Sequence, residues 1–131
     1  MEHTITLEKK PPHLAVQTRG KASVDGFVTF TAELLSHPDW DTGVPILINH
    51  RDLDQRDFNT PQIRAISNLV ASRSEEFGGR RCAIVLSRDV DFGLSRMWEA
   101  MTESRITMSS RSFRSVEEAQ RWLEETGMGR P

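Results

Sequence analysis

A single cysteine, Cys82, leaves no partner for an intrachain disulfide, which fits a reducing compartment. No apolar run approaches the ~18 residues that a membrane span requires. Met1 to Lys10 is polar and alternating rather than a signal peptide, so a cytoplasmic protein is expected. Charge of neither sign dominates. The chain carries 17 Lys and Arg against 19 Asp and Glu, for a formal net charge of -2. Its basic residues are spread rather than blocked, which argues against a general nucleic-acid binder and against a membrane-surface patch.

Several chemistries lack their signatures. His3, His13, His37 and His50 are scattered, and no pair has metal-ligand spacing. Asp52, Asp54 and Asp57 lack the glycine and terminal glutamate of a calcium loop. There is no Gly-x-Ser-x-Gly elbow, and Cys82 falls inside an apolar run, where it reads as a small buried hydrophobe. Gly78-Gly79 precedes a strand, the wrong side for a phosphate loop. No catalytic residue, metal or cofactor is expected. Repeats, low-complexity tracts and internal linkers are also missing, so the 131 residues read as one domain, 1–131.

What is present is organised around Val44-Pro45-Ile46-Leu47-Ile48-Asn49-His50-Arg51-Asp52-Leu53. Consecutive apolar residues ending abruptly in charge predict a strand buried on both faces, hence parallel neighbours and helical cover. Before it, alternation predicts a strand over 3–9, a turn at Lys9-Lys10-Pro11-Pro12, and a second strand over 13–18 ended by Gly20. The first helix opens at Ser23 or Asp25, buries Phe27, Phe30 and Leu34 with Val28 and Leu35 extending the stripe, and stops at His37-Pro38.

After a polar loop over 54–59, Thr60 caps the second helix and Pro61 takes its first position. Ile63, Ile66, Leu69 and Val70 form its apolar face. A buried strand spans 81–87. The third helix runs from Asp91 or Phe92 to Thr102, with Leu94, Met97, Trp98 and Met101 as its stripe. A weaker last strand spans 105–109. Ser115-Val116-Glu117-Glu118 is a capping box opening the fourth helix, which Gly127 and Gly129 end. The order β-β-α-β-α-β-α-β-α predicts an α/β fold, an open, mostly parallel five-stranded sheet with flanking helices.

Four segments carry a resemblance: Leu34-Leu35-Ser36-His37-Pro38-Asp39-Trp40, the central strand closing in Arg51-Asp52, Phe92-Gly93-Leu94-Ser95-Arg96-Met97-Trp98-Glu99, and Phe113-Arg114-Ser115-Val116-Glu117-Glu118-Ala119-Gln120-Arg121-Trp122-Leu123. In their order and spacing the chain resembles the SpoIIAA-like family. These are small bacterial proteins related in fold to STAS domains and compared with Sec14 (CRAL-TRIO) lipid-binding domains. The resemblance implies an open mixed sheet flanked by helices. STAS relatives include anti-sigma-factor antagonists switched by phosphorylation of a serine at the start of the second helix. Thr60 stands at that place, followed by Pro61, and the Asp-Ser-Ser-Gly type of motif is absent. That departure argues against a phospho-switch.

The expected function is a non-enzymatic regulatory or binding domain for a small apolar, amphipathic or anionic ligand, lipid-like molecules included. The alternative is a protein-interaction module of the antagonist type, with Thr60 as a vestigial switch site. A homodimer is a further option. The candidate ligand or partner surface is His50, Arg51, Thr60, Arg88, Phe92, Met97 and Arg111. In a parallel sheet Arg51, Arg88 and Arg111 would line the strand exits beside helix N-termini, an arrangement suited to an anion. A ligand binder predicts a cavity lined by third-helix residues. An interaction module predicts a closed core and an exposed patch around Trp40 and the start of the second helix. An enzyme predicts His50 in a cleft, within hydrogen-bond reach of a carboxylate.

Overall fold

A computed structural model describes residues 1–128. The sheet has five strands in sequential order, β1 (Glu2–Lys9), β2 (Pro12–Lys21), β3 (Ile46–Asp54), β4 (Arg81–Val85) and β5 (Ser109–Phe113). β1 and β2 form the antiparallel hairpin, and β2 to β5 run parallel. Helices α1 (Val24–Leu35), α2 (Thr60–Ser72) and α4 (Asp89–Thr102) are the crossovers, with a single-turn α3 (Ser74–Phe77) before β4. Each crossover steps the same way along the sheet. Connections of one hand therefore lay all three long helices on one face. The last helix, α5 (Val116–Met128), covers the opposite face alone.

The central strand is buried on both sides, as its unbroken apolar run requires. Ile46 packs under α1 and α2, while Leu47 packs with Ala119 and Leu123 of α5. β4 repeats the alternation: Cys82 and Ile84 face the three helices, Ala83 and Val85 face α5.

Several boundaries differ from the sequence reading. β2 does not end at Gly20. It runs to Lys21, with Gly20 at φ 86, a conformation that suits a residue without a Cβ. Ser23 caps α1, accepting from Gly26 N, but Val28 lies outside the buried stripe at 42% exposure. Asn59, not Thr60, caps α2. Its side chain accepts from Gln62 N, and the Gln62 side chain accepts from Asn59 N, closing a capping box. Thr60 is the first helical residue and is exposed.

The largest correction is the last strand, which is not 105–109 but Ser109–Phe113. It is polar because both of its environments admit polarity. Ser110 and Ser112, paired with Cys82 and Ile84, turn toward the polar side of α4, while Arg111 and Phe113 turn to α5. Met108 and Ile106 instead pack into the core from the loop before it. Ser115 opens α5 as expected, accepting from Glu118 N at 3.1 Å. Gly127 lies within α5, and Gly129 falls outside the described residues. No described helix is long and apolar enough to cross a membrane.

Candidate functional site: a cavity beneath three helices

β3 carries one irregularity that shapes the site. Gln17 pairs with Asn49 and Arg19 with Asp52, so His50 and Arg51 together oppose Thr18. This is a β-bulge, and it shifts the strand's alternation by one residue. Ile46, Ile48 and His50 face the three helices before it; Leu53 and Gln55 face them after it. In a regular strand His50 and Gln55, five apart, would lie on opposite faces. The bulge puts both on the helix side.

There they border a cavity of about 70 Å³ between the sheet and α1, α2 and α4. Its wall is Phe27, Phe30 and Leu34 of α1, Ile46, Ile48, Cys82, Ile84 and Leu86 of the sheet, Ile63, Ile66 and Val70 of α2, and Leu94 and Trp98 of α4, with Phe77 and Met108. The polar residues on the wall are Thr31, His50, Gln55 and Ser95, and among the described residues no Asp, Glu, Lys or Arg lines it.

His50 is 6% exposed. Its Nδ1 bonds Thr18 Oγ1 at 2.6 Å, and the Thr18 hydroxyl also reaches the Asn49 carbonyl at 3.3 Å. The rings of Phe27 and Phe30 lie 5.5 Å and 6.3 Å from the imidazole. Burial without a counter-charge brings its pKa down to about 4, so the ring is neutral at pH 7. The reach to a carboxylate that an enzyme reading requires is not among its contacts.

Gln55 is 5% exposed, and its Nε2 has no hydrogen-bond partner; the Trp98 indole Nε1 is likewise buried and unpartnered among the described residues. Ser95 is satisfied: its hydroxyl bonds Ser112 Oγ at 2.7 Å, and Ser112 donates to Glu99. Burial pushes the Cys82 thiol up to about 12, with Glu99 adding to the shift, so no thiolate forms there at neutral pH.

The expected residues are distributed unevenly. His50 lines the cavity, and Met97 and Phe92 pack half-buried against the same core. Thr60 stands apart, at the exposed start of α2. The row of arginines at the strand exits does not assemble. Arg51 lies in the bulge and donates to Asn49 Oδ1; Arg111 lies within β5, over the Phe113 ring. Arg88 is the N-cap residue of α4, 3.6 Å from Asp91. Burial holds the Asp91 carboxyl above its ordinary range, against the opposing pull of Arg88. Asp54 ends β3, and hydrogen bonds from Arg56 hold its carboxyl well below the usual range. Arg114 occupies the place after β5 and pairs with Asp89 at 2.6 Å.

Trp40 is not an exposed anchor. It is 6% exposed, set edge-on to Phe77 with the Arg80 guanidinium 3.6 Å over its ring. Gln55 and Thr18 went unrecognised in the sequence, where Gln55 reads as polar loop. The bulge that turns Gln55 inward has no local signature. Among the described residues, no group of three or more His, Cys, Asp or Glu is placed to hold a metal ion.

No family model matches the chain, and no curated protein matches it. A solved structure does: an uncharacterized protein of the DUF3478 family with a SpoIIAA-like fold, from Shewanella loihica PV-4. The two are 19% identical, and the match covers 93% of this chain and 92% of that one with a TM-score of 0.60. At this identity the likeness shows the fold, which is SpoIIAA-like.

Proposed function

We propose that this SpoIIAA-like fold is a non-enzymatic binding domain of regulatory role, holding a small apolar or amphipathic molecule between its sheet and α1, α2 and α4. One observation carries the reading: an apolar-walled cavity of about 70 Å³ between the sheet and three helices. At about 24 cal/mol per Å³, a void of this size costs on the order of 2 kcal/mol. A bound apolar molecule restores the contacts that the wall lacks. The α4 stripe supports the same reading, since Leu94 and Trp98 are only half-buried yet border the cavity. Binding rather than turnover is supported by His50, which bonds the Thr18 hydroxyl and, among the described residues, no carboxylate. The interaction-module alternative asked for a closed core and an exposed patch around Trp40 and the start of α2; Thr60 is exposed, but Trp40 is buried and the core holds a cavity.

The test is native mass spectrometry on protein purified from cells without refolding, beside a Cys82→Leu variant that fills the cavity floor. Added mass on the wild type that is absent from the variant supports the proposal. Identical bare masses, together with no binding of added small apolar molecules, count against it.

A further inference from the structure

The cavity holds a chemical preference as well as a volume. Two hydrogen-bond donors, Gln55 Nε2 and Trp98 Nε1, are buried on residues of its wall and have no partner among the described residues. Leaving such groups unmade costs about 1–3 kcal/mol each, so unpaired buried donors call for an acceptor. Among the described residues no charged side chain lines the cavity, and the one titratable ring there, His50, bonds Thr18. A carboxylate or phosphate would therefore enter without a counter-charge, and burying an unpaired ion costs far more than two hydrogen bonds return. An ammonium group would meet donors and gain nothing from them. The volume sets a further bound: about 70 Å³ is under half of the ~150 Å³ of a cavity that holds benzene, so the site suits a molecule of a few heavy atoms rather than a long acyl chain.

We infer that the ligand is a small, uncharged, mainly apolar molecule bearing a hydrogen-bond acceptor such as a ketone, aldehyde or ester oxygen, which Gln55 and Trp98 grip. This rests on the binding reading above and narrows it. It also replaces the anionic ligand that the sequence suggested.

The experiment is an NMR titration with three probes of equal heavy-atom count: acetone, isobutene and acetate. The indole N–H of Trp98 is assigned from its loss in Trp98→Phe. Acetone is expected to shift that resonance downfield and to bind about tenfold more tightly than isobutene, with acetate weakest. Gln55→Met and Trp98→Phe each keep the wall and remove one donor, so each is expected to reduce the preference for the ketone. Equal affinity for ketone and hydrocarbon overturns the acceptor inference while leaving the binding reading intact. Tightest binding by acetate overturns it in favour of an anion. Failure of all three probes to perturb any residue of the wall overturns the inference and the binding reading together.

Discussion

His50 Nδ1 lies 2.6 Å from Thr18 Oγ1, bridging the bulge at which two residues of β3 oppose one of β2. Both residues are buried, Thr18 completely. The bond fixes the orientation of the imidazole on the cavity wall. It also lies where the strand changes face, so it ties the position of Gln55 to the pairing of β2 with β3.

Burial of His50 makes stability depend on pH. The folded ring titrates at about 4, below the ordinary value near 6.5. The unfolded chain therefore takes up a proton first as pH falls. The contribution is complete above pH ~6.5 and is lost as pH falls toward 4, up to about 3 kcal/mol in all. Urea denaturation of wild type and His50→Gln at pH 7 and pH 4.5 checks this. The variant is expected to start less stable and to lose less on acidification. Parallel losses in both would remove His50 as the cause.

Cys82 is expected to resist thiol reagents in the folded protein. It is 1% exposed, and its thiol is held protonated by burial. Labelling by iodoacetamide at pH 8 should follow global unfolding, accelerating with urea. Rapid labelling of the native protein would mean that the cavity opens widely.

Arg80 is a structural clasp. Its guanidinium stacks on Trp40 and donates to the Phe77, Trp40 and Val44 carbonyls at 3.0, 3.3 and 3.0 Å. Arg80→Met keeps the stem and removes these bonds, at an expected cost of about 2–4 kcal/mol. Chemical denaturation measures it. A loss below about 0.5 kcal/mol would place Arg80 with ordinary surface residues.

Asn59 rather than Thr60 is expected to govern the start of α2. Asn59→Ala opens the capping box and should cost about 1 kcal/mol, whereas Thr60→Ala should be close to neutral. Equal losses would contradict the assigned cap.

Much of the fold is legible in the sequence because its signals are local and agree. The apolar run at Ile46-Leu47-Ile48 demands two covered faces, and Ser23 and Ser115 cap their helices as their spacing indicates. β5 is illegible for a physical reason. Ser109-Ser110-Arg111-Ser112 has no apolar alternation, because its inner face meets Ser95 and Glu99 of α4 rather than a hydrophobic wall. The site was half legible. His50 could be singled out by its place near the strand exit. Gln55 could not, because its facing depends on the pairing of β2 with β3, residues far apart in the chain.

The central claim is that the cavity beneath α1, α2 and α4 holds a small molecule. The most direct measurement is a high-resolution crystal structure of protein purified straight from cells. The account predicts ligand density against Trp98 and Gln55, with an oxygen within hydrogen-bond distance of both donors. A cavity filled only by water, in a protein that also fails to take up acetone on soaking, would contradict it.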